Sequence, residues 1–336
     1  MTADFVPTPE VLAYYVGTER SGLRYQYLKD AFPWITYLGT VNYTVDEKGN
    51  LHGITDPDFL EEVLDLGIRP LVVPQNITAG GFSTATIHQI LISPPAQKNL
   101  IDNLLTLLRQ YRYDGWNLDM ESISPQDRNL FSQFTKRLLA WARPEPYLAS
   151  VAVAALTSGQ KSGEDYRALG QTNNFLMIMT YDEHWAGGEP GPIASIPWVE
   201  RVIQNALTQV PSQQIVLGIP LYGLDWEIPI QKNRRARTVS FREAAGLAEK
   251  YGADINWSVK NQEPCFSYQE NGRQHIVWFQ DPTSWAAKIS LVFKYNLRGI
   301  GLWEMAYADP EFWHTLRKTV AHCQNGTVHE DKLVSE

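Results

Sequence analysis

Two carboxylates, Asp119 and Glu121, stand at alternating positions in the run Tyr113-Asp114-Gly115-Trp116-Asn117-Leu118-Asp119-Met120-Glu121, which otherwise reads as a buried strand. Side chains on a strand alternate between its two faces, so Asn117, Asp119 and Glu121 share one face and Trp116, Leu118 and Met120 the other. Asp114 is out of phase with the acids. Two acids on one buried face repel each other as anions, which favours one of them keeping a proton near neutral pH. A carboxyl that keeps its proton there is a general acid. The same residues also admit two plainer readings, solvated carboxylates at a strand end and ligands to a divalent cation. Hard cations want six or more oxygen ligands, and no supporting His or Asp cluster stands nearby. The acid-catalyst reading leads, with no metal and no cofactor expected.

The elements that must position these acids are legible in the pattern of apolar runs. Eight strand-like segments recur, at residues 11–16, 34–41, 70–74, 116–121, 148–155, 175–181, 215–221 and 299–305. Most are continuously apolar, as strands of a parallel sheet covered on its faces by helices should be. Between them, Asp56-Pro57, Ser93-Pro94, Ser124-Pro125, Asp281-Pro282 and Asp309-Pro310 each set a capping side chain before a proline at the first helical position. Leu100, Ile101, Leu104, Leu105, Leu108 and Tyr111 form one helical stripe. Strand then helix, eight times over, predicts a closed (β/α)8 TIM barrel. Its active site should lie at the C-terminal ends of the strands, where Asp119 and Glu121 end the fourth.

The rhythm breaks between the seventh and eighth strands, where too many residues intervene for one helix. A capped helix at 240–251 and a hairpin through Asn271-Gly272 predict a small α+β insertion, placed at residues 227–285. The barrel is expected over 1–323, with a polar tail at 324–336.

With 44% hydrophobic and 20% charged residues among 336, the chain has the means to build a large core. A net charge of −8, with no basic cluster longer than residues 232–237, excludes a polyanion held by bulk electrostatics, so no nucleic acid is expected. No apolar stretch is long enough to span a bilayer, and residues 1–10 lack the basic and apolar regions of an export signal. Eleven Trp and sixteen Tyr exceed what the core needs, and flat aromatic faces suit the packing of sugar rings. Cys265 and Cys323 fit no metal or redox spacing.

The run 114–121 resembles the signature of glycoside hydrolase family 18, the chitinase family, whose pattern is Asp-x-x-Asp-x-Asp-x-Glu on barrel strand four. Met179-Thr180-Tyr181-Asp182 resembles that family's strand-six motif, Gly218-Ile219-Pro220-Leu221-Tyr222-Gly223 its strand-seven motif, and Trp303 its strand-eight tryptophan. Within the family, Asn117 and the stretch 181–188 are similar to the cortical-fragment-lytic N-acetylglucosaminidases of spore formers. Two positions depart from the common pattern. Asn117 replaces the usual middle aspartate, and Leu224 stands where many chitinases carry an arginine.

The resemblance implies a retaining hydrolase of β-linked N-acetylglucosamine bonds, in peptidoglycan of spore cortex or cell wall, in which the substrate's own acetamido oxygen is the nucleophile. Glu121 would be the acid and then the base, Asp119 would steady the acetamido group, Tyr181 would orient it, and Asn117 would take the remaining motif position. Tyr14, Met179, Asp182, Tyr222 and Trp303 would line the sugar subsite, with Asp114 as a further substrate-binding residue. The alternatives are a chitinase and a non-catalytic glycan-binding barrel. The expected partner is a glycan containing N-acetylglucosamine, the expected state a monomer. The expected location is the spore, with synthesis in the mother cell, or alternatively the wall or medium after loss of a signal peptide.

Overall fold

The structure is a computed structural model that describes residues 8–143, 145–230 and 234–325. Eight parallel strands close into a barrel: Glu10–Val16, Tyr37–Val45, Arg69–Gln75, Gly115–Leu118, Leu148–Ala154, Phe175–Met179, Ile215–Pro220 and Gly299–Trp303. Each pairs with its neighbour in chain order, and the first pairs with the eighth through Glu10 opposite Gly299, which closes the ring. The (β/α)8 TIM barrel expected from the sequence is the observed fold.

Strand alternation sorts the side chains into two layers. Leu12, Tyr14, Leu71, Val73, Phe175, Met177 and Val216 fill the barrel interior. Val11, Ala13, Tyr15, Val72, Trp116, Leu118 and Met120 face outward into the core shared with the helices. The helices start as the Asp-Pro and Ser-Pro pairs predict. Asp56 accepts from the amides of Asp58 and Phe59, Ser93 from Ala96, Asp281 from Ser284 and Asp309 from Glu311. At Ser124-Pro125 the helix begins with one 3-10 turn before the regular helix Arg128–Ala142.

Several boundaries differ from the sequence reading, among them the end of the fourth strand, which stops at Leu118 so that Asp119 and Glu121 lie in the segment just past it. The second strand starts at Tyr37, because Phe32–Trp34 forms a 3-10 turn around Pro33. The inserted five-stranded antiparallel sheet begins at Tyr222 and runs to Trp278, with the helix Phe241–Tyr251 packed on one face. Pro282 to Trp285 instead open the barrel helix Pro282–Lys294. The capped helix, closed by a capping box of Ser240 with Glu243, and the hairpin turn at Asn271 and Gly272, both residues with positive φ, lie where the sequence put a helix and a hairpin. The helix Pro310–Gln324 closes the described chain, and the polar tail from residue 326 onward lies outside the described residues.

Candidate active site

At the C-terminal mouth of the barrel a cleft of about 430 Å³ is lined by Tyr14, Gln75, Asp119, Glu121, Met179, Tyr181, Asp182 and Trp303, with Val16, Val41, Ile77, Phe82 and Ala152 as its apolar wall. Its size suits a sugar-sized ligand. Every residue expected to act at the site lines this cleft except three, Asn117, Tyr222 and Asp114.

Asn117 lies directly beneath, fully buried in the barrel interior. Its Oδ1 accepts from the Tyr14 hydroxyl at 2.7 Å and its Nδ2 donates to Ser150 Oγ at 3.0 Å, so the amide is fixed at both ends. Tyr222 stands behind Asp182 and donates to its Oδ1 at 2.5 Å. Asp182 adopts a positive φ of 61° at the turn that leaves the sixth strand. Asp114 is not part of the site. It precedes the fourth strand at the opposite, N-terminal end of the barrel, where it pairs with Arg69. The five residues from Asp114 to Asp119 span roughly 16 Å of extended chain, which puts a substrate-binding role for Asp114 out of reach.

Asp119 is 4% exposed; its Oδ2 accepts from Gln75 Nε2 at 2.7 Å, and its buried Oδ1 has no hydrogen-bond partner. Glu121 is held by its backbone, whose N–H donates to Asn76 Oδ1 and whose carbonyl accepts from Asn76 Nδ2, both at 2.9 Å. Both acids hold their protons more tightly than ordinary carboxyls do. For Asp119 the cause is burial, opposed by the bond from Gln75. For Glu121 it is burial, followed by the charges of Asp119, Glu164 and Asp182, and the shift is the larger. The proton of the pair therefore belongs on Glu121, which has the chemistry of a general acid beside an anion.

Trp303 ends the eighth strand and meets the Tyr14 ring edge-on at 5.5 Å, giving the cleft an aromatic floor. Tyr181 reaches the cleft past Gly218, where an added Cβ would lie 2.5 Å from the Ile178 carbonyl and 3.0 Å from Tyr181 Cε1. The strand-seven glycine is thus needed for the close approach of the sixth strand. Burial holds the Tyr181 hydroxyl in its neutral, donating form.

Three residues of the site carry no spacing signal in the sequence. Gln75 and Asn76 follow the third strand's apolar run, and an amide pair ending such a run at the catalytic end of a barrel is the sign that could have marked them. Glu164 is buried behind the cleft, accepting from Ser162 Oγ at 2.9 Å and from the Ala154 N–H at 3.2 Å. Burial pushes its carboxyl up to about 7.

A second cavity, about 360 Å³, lies in the inserted sheet. Within it Asp225 pairs with Arg237 and lies against the His275 ring, Glu227 pairs with Arg234, Glu270 pairs with Lys250, and Arg235 lies over the Trp185 ring. Among the described residues no group of three or more His, Cys, Asp or Glu is placed to hold a metal ion, and no helix is long and apolar enough to cross a membrane.

Residues 77–308 match the model of glycosyl hydrolases family 18. The "Cortical fragment-lytic enzyme" of Bacillus anthracis is 34% identical over 292 residues, which cover 84% of this chain and 68% of that enzyme. The crystal structure of the Bacillus cereus spore cortex-lytic enzyme SleL superposes with a TM-score of 0.85 at 32% identity, covering 93% of this chain and 74% of that one. A chitinase from Chromobacterium violaceum ATCC 12472 superposes with a TM-score of 0.84 at 28% identity, covering 93% of this chain and 99% of that one. The chain belongs to glycosyl hydrolases family 18. It is a glycosidase related both to spore cortex-lytic enzymes and to chitinases.

Proposed function

We propose that this chain hydrolyses β-linked N-acetylglucosamine bonds in peptidoglycan, with retention of configuration and with the substrate's 2-acetamido group as nucleophile. The observation that carries this reading is the buried, unpartnered Oδ1 of Asp119 in the cleft wall. A buried carboxylate oxygen without a donor is costly, and an acetamido N–H supplies that donor.

In the first step Glu121 gives its proton to the glycosidic oxygen as the bond from that oxygen to the anomeric carbon breaks. The acetamido carbonyl oxygen bonds to the same carbon, and the positive charge of the resulting oxazolinium ring faces the Asp119 carboxylate. Tyr181 donates to the acetamido oxygen and aligns it for attack. In the second step water adds to the anomeric carbon and its proton passes to Glu121, while the ring opens and restores the acetamide. Two displacements on one carbon retain its configuration. Trp303 offers the stacking face for the reacting sugar. Turnover falls as rising pH removes the Glu121 proton, at a pH above the ordinary carboxylate range.

Likeness to cortex-lytic enzymes supports spore peptidoglycan as the substrate and the spore as the place of action. Likeness to the Chromobacterium chitinase supports a second reading, hydrolysis of chitin oligomers. The test is product release from cortex peptidoglycan fragments and from chitin oligomers in parallel, read by mass spectrometry with Glu121→Gln as control. New N-acetylglucosamine reducing ends from cortex alone are expected. Cleavage of chitin alone moves the assignment to a chitinase, and binding without Glu121-dependent product moves it to a glycan-binding barrel.

A further inference from the structure

Gln75 and Asn76 are neighbours in sequence, yet each engages a different acid. Gln75 ends the third strand, lies beside Asp119 in a parallel bridge, and gives the Asp119 carboxyl its only hydrogen bond among the described residues. Asn76 is fully buried, and its side-chain bonds to Glu121 go to the backbone and not to the carboxyl. It brackets the Glu121 peptide, accepting from its N–H and donating to its carbonyl. The same Nδ2 also donates to the Ser83 carbonyl at 3.0 Å, and the Ser83 N–H returns a bond to the Asn76 carbonyl. This ties Glu121 to the small hairpin whose Ile77 and Phe82 line the cleft.

We propose that this amide pair divides the work between the two acids: Gln75 keeps Asp119 as the anion, and Asn76 fixes the Glu121 backbone while leaving its carboxyl free to deliver a proton. Both are positioning residues, and the proposal rests on the roles given above to Asp119 and Glu121. The groups that face the pair make the donor from Gln75 decisive. Tyr14 from the first strand, Glu164 from the segment after the fifth, and Tyr181 and Asp182 from the segment after the sixth are acids or hydroxyls, and among the described residues no lysine or arginine lines the cleft. With no such cation among the described residues, the Gln75 N–H is the one donor that favours the Asp119 anion, while the charges of Glu164 and Asp182 favour the proton on Glu121.

The first test follows Asp119 directly, by carbon NMR titration of protein labelled at the aspartate carboxyls, with Asp119→Asn identifying the resonance. In Gln75→Leu the Asp119 carboxyl should titrate about one pH unit or more higher than in the wild type, the size expected for loss of a charge-assisted hydrogen bond. An unchanged titration overturns the role of Gln75, whether or not the enzyme turns over the substrate named above.

The second test separates the two amides by kinetics on whichever glycan the wild type cleaves. Gln75→Leu should raise the acidic limb of the pH profile of kcat/KM. Asn76→Ala should leave both limbs in place and lower kcat on the order of 10²-fold with KM nearly unchanged, as misplacement of a reacting group does. Thermal unfolding of each variant checks that it is folded at the assay temperature. A wild type without Glu121-dependent turnover removes the proposed function but leaves the titration to decide on Gln75. Equal losses in kcat and KM for Asn76→Ala, or a moved limb, overturn the role of Asn76.

Discussion

Glu263 and Asp119 are both withdrawn from water, yet their surroundings are opposite. Glu263 is completely buried and accepts four bonds, from the amides of Ile193 and Ala194, from Gln280 and from the buried ammonium of Lys288 at 2.9 Å. Those bonds join the segment after the sixth strand to the inserted sheet and to the helix Pro282–Lys294. Asp119 accepts one bond, leaves its second oxygen bare, and has another carboxyl two residues away. Burial alone therefore says little about a carboxylate's use. A saturated acid is part of the frame, and an acid left short of donors is where a substrate has something to offer.

This contrast can be broken from either side. The largest effect is expected from Glu121→Gln, which removes the transferable proton without changing shape and should lower kcat by up to about 10⁴-fold on the cleaved glycan, with the unfolding midpoint nearly unchanged. In the frame, Lys288→Met strands the Glu263 charge and should cost about 3–5 kcal/mol in denaturant unfolding, much of it recovered when Glu263→Gln is added. Asp119→Asn should reduce kcat about 10²–10³-fold, the range for loss of a group that stabilises transition-state charge.

Glu164 tests an acid of intermediate kind. Its folded-state pKa of about 7 lies above its ordinary value of 4.5, so the native state holds that proton more tightly than the unfolded chain. The stability this contributes is complete below about pH 4.5 and is lost as pH rises through 7. Melting temperatures across that window should fall less steeply for Glu164→Gln than for the wild type. The smallest effect belongs to Asp114→Asn, where an exposed pair with Arg69 is worth at most about 1 kcal/mol and turnover should stay within about twofold of the wild type.

The barrel was legible in the sequence because its signals are local and repeated, apolar runs of strand length alternating with capped helices. The alternation of Asn117, Asp119 and Glu121 was legible for the same reason. Asp114 was misplaced because a motif fixes spacing along the chain and says nothing of where the strand starts. The fourth strand begins at Gly115, one residue after Asp114, so the motif straddles the length of the barrel. The inserted sheet was entered five residues late because its first strand follows Pro220 after a single residue and reads as a continuation of the seventh. Gln75, Asn76 and Glu164 were missed because their partners lie far off in sequence or outside any periodic pattern. Gln75 and Asn76 meet their acids 44 and 45 positions away, and nothing local marks that meeting.

The amide of Asn117, held between Tyr14 and Ser150, has one more consequence. An aspartate there could have received a proton from its neighbour and passed it down into the barrel. An amide pinned at both ends can do neither, so no proton reaches Glu121 by way of this motif position, and water entering at the mouth of the cleft is the source the mechanism offers. On the mechanism proposed here the enzyme is recharged by the same water molecule that completes its reaction.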